Sequence, residues 1–249
     1  MRADFVADVG NSRIKWGRCL GNRVCETVSL PIDTEDWEKQ YRAWRSTGAA
    51  RWVVSSVNPG KLAVLLEWIK AHGDFARVLD SAKQLPLQID LEAPDRVGID
   101  RLLNAVAARH RCPGNAAIIV DVGSAVTVDL VNASGAFAGG AIFPGVRLMA
   151  KALNEHTALL PLVSLDGEIP SVPGKSTVAA MKAGIFAAVT GGVQSLIEKL
   201  RPTEECQVTV FVTGGDAHLV APALPMQTTM WPEMTLEGIR LSAENLPDE

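Results

Sequence analysis

The chain has 249 residues, of which 47% are hydrophobic and 21% charged, with a formal net charge of −4. This is an ordinary composition for a soluble protein, long enough for one large domain or two small ones. With no block of basic residues it lacks the positive footprint that binding a nucleic-acid backbone requires, while a small anionic ligand can still be held by local backbone amides.

No apolar run approaches the ~18 residues of a membrane span. The start, Met1-Arg2-Ala3-Asp4-Phe5, leads into strand-like sequence without the apolar stretch of a signal peptide. The expectation is a cytoplasmic protein with no membrane and no nucleic-acid partner.

Strands are expected at Asp4–Asp8, Ser12–Arg18 and Val24–Leu30, β-branched runs bounded by Gly, Asn or Pro. Trp37, Tyr41 and Trp44 then recur at helical spacing behind a cap at Asp33 or Thr34, and read as a core-facing stripe rather than a platform for stacking bases. A strand at Trp52–Val57 precedes a helix carrying Leu62, Leu65, Leu66 and Ile69 that ends near Gly73. Arg77–Leu79 reads as a strand, and Leu102, Leu103, Val106 and Ala107 as a helix following Asp100.

After Cys112-Pro113-Gly114-Asn115 the pattern restarts. Strands at Ala117–Asp121, Ala125–Val131 and Ala136–Ile142 precede helices at Val146–Leu159 and Thr177–Leu200. A strand at Gln207–Thr213 and a short helix near Leu236–Leu241 complete it. The expected architecture is α/β, with an N-terminal lobe over 1–114 and a C-terminal lobe over 115–249.

Each half opens on the same turn: Asp8-Val9-Gly10-Asn11-Ser12 and Asp121-Val122-Gly123-Ser124. Glycine at the tip lets backbone amides approach a ligand closely, and such amides form a nest for phosphate oxygens. Asn11, Ser12 and Ser124 add polar donors, and Lys15 adds a positive charge. Asp8 and Asp121 repel phosphate, so they fit this setting if a cation lies between carboxylate and phosphate. Two such turns facing a nucleotide would form a phosphate clamp; one alone is a common hairpin.

Gly98-Ile99-Asp100-Arg101 has two readings. Asp100 is either an acidic first-turn residue suited to the helix dipole, or a carboxylate that takes a proton from a substrate hydroxyl while Arg101 holds an anionic group. Gly139-Gly140 with Pro144-Gly145, and Gly214-Gly215-Asp216, mark either close strand–helix packing or, in the second case, a flat surface for adenine. The stretch Gly167 to Ser176 ends in Gly-Lys-Ser. Six residues separate its glycines where a P-loop has four, and two of them are prolines without an N–H, so it reads as a loop entering a helix near Thr177. Cys19, Cys25, Cys112 and Cys206 have neither metal-site nor redox spacing, and His72, His110, His156 and His218 read as structural or surface residues.

Taken in order, these motifs resemble the type III pantothenate kinases, within the actin-like (acetate and sugar kinase, heat-shock ATPase) superfamily. The series runs through Asp8-Val9-Gly10-Asn11-Ser12-Arg13-Ile14-Lys15, Ser55-Ser56-Val57-Asn58-Pro59, Gly98-Ile99-Asp100-Arg101 and Asp121 to Asp129. It continues with Gly139 to Gly145, Leu159-Leu160-Pro161, Ser176-Thr177, Thr213-Gly214-Gly215-Asp216 and Leu236-Glu237-Gly238.

The resemblance implies a two-lobed actin-like (ribonuclease H-like) fold and ATP-dependent phosphorylation of pantothenate to 4'-phosphopantothenate, the first step towards coenzyme A. It implies that Asp8 to Lys15 and Ser124 bind ATP, which arrives with magnesium. Asp121 would bind a monovalent cation, potassium or ammonium. Gly98, Ile99, Asp100, Arg101 and Thr177 would bind pantothenate, with Asp100 as general base, in a homodimer. Ser12 and Ser124 stand where the family usually has threonine, and Leu91 where many members place a substrate-contacting tyrosine. Leu91 keeps a kinase for another small alcohol in view, and a non-catalytic nucleotide-binding regulator is the non-enzyme alternative.

Overall fold

Phe5–Val9 (β1) alternates its side chains across a sheet, as any strand must. Phe5, Ala7 and Val9 enter a core with Ile14, Trp16, Trp52 and Val54, and Asp8 falls on the opposite face. On one side β1 pairs antiparallel with Ile14–Leu20 (β2), which pairs with Arg23–Leu30 (β3). On the other it pairs parallel with Arg51–Ser56 (β4), followed by Phe75–Leu79 (β5), giving the order β3-β2-β1-β4-β5. In this computed structural model residues 1–32, 34–45, 47–165, 169–202 and 207–247 are described.

Helices Thr34–Trp44 (α1) and Pro59–Ala71 (α2) bring Trp37, Tyr41, Trp44, Leu65 and Ile69 into the aromatic core, as the stripe predicts. Asp33, the alternative cap for α1, lies outside the described residues. Asp74 satisfies three polar groups of this core: Tyr41 Oη (2.5 Å), Trp52 Nε1 (2.9 Å) and the Ala50 amide (2.9 Å) all donate to its carboxylate. Burial, then the Asp74 bond, pushes the Tyr41 phenol above its ordinary range. The third helix, Ile99–Arg111 (α3), completes this stretch of chain.

The second unit repeats the plan. Ala116–Val122 (β6), Ala125–Val131 (β7) and Phe137–Pro144 (β8) form an antiparallel meander, and Val208–Thr213 (β9) with Thr229–Met230 (β10) extends the sheet in parallel. Read from its first strand, the order β10-β9-β6-β7-β8 is the mirror listing of the first sheet, so one topology is used twice. Val146–Glu155 (α4) and Thr177–Leu200 (α5) cover the face bearing Ile118, Val120, Val122, Val126 and Val128, with the short Ala217–Val220 (α6) beside them. Helix α4 ends at a cap on His156 and does not run to Leu159 as expected.

Two expectations need revision. The units comprise Met1–Arg111 with Glu233–Glu249, and Cys112–Pro232, so the final helix, Met234–Ala243 (α7), belongs to the first unit, against the expected 1–114 and 115–249 division. It packs on α3: a Cβ on Gly238 would lie 2.0 Å from the Leu103 carbonyl oxygen, and Thr235 Oγ1 donates to Asn104 Oδ1 (2.8 Å). Helix α5, in addition, is long and apolar enough by length and composition to cross a membrane. Its Ala, Val, Ile and Leu residues give that apolar character, interrupted by Thr, Gly, Lys, Gln and Ser. Met181, Ala183, Ile185, Val189, Val193 and Ile197 are buried in the core of the second unit.

Candidate active site

In the first unit the turn is a four-residue loop between the paired residues Val9 and Ile14. The Gly10 amide donates to the Arg13 carbonyl (3.0 Å), and Asn11, Ser12 and Arg13 are exposed. Behind it, Ser56 Oγ donates to the Val9 carbonyl (3.2 Å), and Asn58 Nδ2 to Asn11 Oδ1 (3.3 Å). Lys61 Nζ donates to the Asn11 carbonyl. Asn58 also caps α2 by accepting from the Lys61 amide (3.1 Å), so the start of α2 and the turn are tied together. Register places Lys15 of β2 and Ser55 of β4 directly beside Asp8.

Asp100 sits in the first turn of α3, half-buried, and its Oδ1 accepts from the Arg101 amide (2.9 Å). A Cβ on Gly98 would lie 2.6 Å from that oxygen, so glycine makes room for the carboxylate. Because α3 is buried from Leu102 to Ala108 and locked onto α7, Asp100 is carried on a rigid element. Leu91 is half-buried in the irregular segment before α3.

In the second unit the turn is tighter, with three residues between the paired Val122 and Val126. The Gly123 amide donates to the Ala125 carbonyl (3.0 Å), the Gly145 amide to the Ser124 carbonyl (3.0 Å), and the Asp216 amide to the Val122 carbonyl (2.9 Å). The close approaches fall at glycines. A Cβ on Gly145 would meet the Gly123 carbonyl oxygen at 2.1 Å, and one on Gly214 (φ +97°) would meet Asp121 Oδ1 at 2.5 Å. Gly145 also caps α4, and Arg147 in its first turn pairs with the buried Asp216 (2.8 Å).

Register sets Thr127 of β7 and Thr213 of β9 beside Asp121. Thr177 opens α5 behind the Ser176 cap and lines a largely apolar cavity of about 760 Å³ with Leu148, Met149, Leu153 and Met181. Asp121 and Ser124 are not part of that lining. Ser176 thus acts as a helix cap, in keeping with the loop reading of Gly167 to Ser176, of which Gly167 and Glu168 lie outside the described residues.

A family model described as type III pantothenate kinase matches residues 5–199. The chain belongs to the type III pantothenate kinase family. A type III pantothenate kinase from Alkalilimnicola ehrlichii is 35% identical, over 94% of this chain and 95% of the relative. One from Acidiphilium cryptum is 33% identical over 98% and 95%. Among solved structures, the activator of 2-hydroxyisocaproyl-CoA dehydratase from Clostridium difficile, with bound ADPNP, aligns with a TM-score of 0.54 at 15% identity, over 98% of this chain and 96% of that one. The ethanolamine utilization protein EutJ from Carboxydothermus hydrogenoformans aligns at 0.56 and 12%, over 97% and 90%. The fold is the actin-like one, a mixed sheet flanked by helices in each unit.

Within this family frame, reading residue types one motif at a time missed Lys61, Arg147 and Asp216 as supports of the turns. Asn58-Pro59, an N-cap followed by proline at the first helical position, was the available signal for the first support. Thr127 and Thr213 were findable by pairing strands and reading across from Asp121.

Proposed function

We propose that this chain transfers the γ-phosphoryl group of ATP to the primary hydroxyl of pantothenate, giving 4'-phosphopantothenate and ADP, the first step towards coenzyme A. Membership of the family over nearly the whole chain, with both turns and Asp100 retained, carries this reading. Asp8, Val9, Gly10, Asn11, Ser12, Arg13, Ile14 and Lys15 hold nucleotide phosphates through turn amides, the Ser12 hydroxyl and the Lys15 ammonium, and Ser124 contributes from the second turn. Gly98, Ile99, Asp100 and Arg101, with Thr177, hold pantothenate.

Asp100 orients the hydroxyl and accepts its proton late, as the new O–P bond forms and the bond to ADP breaks. Placement on a rigid helix supports this role, since catalytic gain depends on a well-held geometry. Magnesium enters as the counter-ion of ATP. The residues around Asp121 suit a monovalent cation: its carboxylate oxygen lies in a space that a Cβ on Gly214 would fill, and the neighbouring groups are hard oxygen donors. Potassium or ammonium held there would balance carboxylate charge close to phosphate.

The protein acts as a cytoplasmic homodimer without nucleic-acid or membrane partners. The exposed apolar side chains of the second unit support a dimer: Leu159 is 92% exposed, Val172 78% and Leu162 67%. Sedimentation at micromolar concentration should give the mass of two chains, and a monomer would remove this part. The deciding assay couples ADP release to ATP, magnesium, potassium and pantothenate, with other small alcohols compared because of Leu91. Pantothenate-dependent turnover is expected, and its absence would overturn the proposal.

A further inference from the structure

Residues directly opposed on neighbouring strands present their side chains to the same face of the sheet. At Asp8 these neighbours are Lys15 and Ser55; at Asp121 they are Thr127 and Thr213. The equivalent carboxylate is therefore faced by an ammonium and a hydroxyl in one unit, and by two hydroxyls in the other.

Thr213 is fully buried, and among the described residues neither its Oγ1 nor that of Thr127 has a hydrogen-bond partner. Buried hydroxyls are normally bonded, so two orphans flanking one carboxylate call for a reason. Ser55 Oγ beside Asp8 is orphaned as well, so a single hydroxyl does not mark a cation site. What distinguishes Asp121 is the pair of hydroxyls together with the glycine-lined space: Cβ atoms on Gly214 and Gly123 would lie 2.5 and 3.7 Å from its Oδ1. An alcohol oxygen offers lone pairs that a hard cation can take.

We infer that Thr127 and Thr213 are oxygen ligands of the monovalent cation at Asp121, and that the second turn needs a dissociable cation because its register supplies hydroxyls where the first supplies the Lys15 ammonium. This rests on the cation reading of Asp121 given above. It adds two ligands to that reading and gives the two equivalent aspartates different sources of positive charge.

The test is thermal melting of the full chain, titrated with potassium chloride against tetramethylammonium chloride at constant ionic strength. A ligand that binds only the folded state raises the melting temperature with its concentration. Potassium and ammonium should raise that of the wild type. Thr213→Val and Thr127→Val should match the wild type in tetramethylammonium but need ~10-fold or more potassium for the same shift, while Thr213→Ser titrates near the wild type.

Valine variants that titrate like the wild type would remove the hydroxyls as ligands. Valine variants already destabilised in tetramethylammonium would assign them a structural role instead. Should Thr213→Val not fold, Thr127→Val at the half-buried position decides alone. A wild type whose melting and turnover both ignore potassium would overturn the cation reading itself, which separates that failure from failure of the threonine assignment.

Discussion

The two turns share Asp-Val-Gly and the same place in the same strand order, yet they are supported by different means. The first is a four-residue loop held from behind by side chains: Ser56, Asn58 and Lys61 bond to Val9 and Asn11. The second is a three-residue loop set against bare backbone, with Gly145 and Gly214 where no Cβ fits. A repeated motif thus fixes where a carboxylate and its neighbouring amides go, and leaves the support free to diverge. The sensitive positions should differ accordingly, polar side chains in one unit and glycines in the other.

The largest expected effect lies on neither turn. Asp100→Asn should lower kcat by about 10²- to 10⁴-fold with the melting temperature unchanged, the range of a general base. Near-normal turnover in a steady-state assay would mean that the turns alone account for the rate.

Next come the glycines. Gly214→Ala combines an unfavourable positive φ with a 2.5 Å clash and should cost about 3 kcal/mol, and Gly145→Ala about 1–3 kcal/mol. Gly10→Ala, whose Cβ would lie 3.2 Å from the Arg13 carbonyl oxygen, should cost under about 1 kcal/mol. Urea unfolding followed by circular dichroism measures all three, and equal costs would break the contrast.

A third variant carries the first turn's solution into the second. Thr127→Lys puts an ammonium where β2 has Lys15, and the melting temperature should then no longer respond to potassium. A retained response would show that the register comparison is not what sets the cation requirement.

The smallest effect is expected from Asn58→Ala, which removes the α2 cap and a bond to Asn11 at a cost of about 1 kcal/mol. Tryptophan fluorescence suits this measurement, since Trp16, Trp37, Trp44, Trp52 and Trp68 all lie in the first unit and Trp231 alone in the second. A raised KM for ATP with unchanged kcat would sharpen the view that these side chains position the first turn.

Much of this was readable from local pattern. β-branched runs ending in Asp-x-Gly marked β1 and β6, and the Trp37, Tyr41 and Trp44 spacing marked the buried face of α1. What escaped depended on pairing between distant segments. Thr213 reaches Asp121 only through the parallel pairing of β6 with β9, a long way apart in sequence. The two-residue β10 is too short to carry a period. Adjacency in sequence places the last helix with the C-terminal lobe, whereas α7 packs on α3 of the first unit, and Gly238, the residue that admits α7 to the backbone of α3, looks like any helix glycine until its neighbour is known.

That last helix also bears on the order of assembly during synthesis. The second unit is one continuous segment, Cys112–Pro232, so all of its chain has been synthesised before α7 is made. The first unit begins the chain but cannot bury the α3 surface around Leu103 until the residues after Glu233 arrive. Domains usually mature from the N-terminus as they emerge. Here the helix that carries Asp100 should be seated last, after the whole of the second unit has been made.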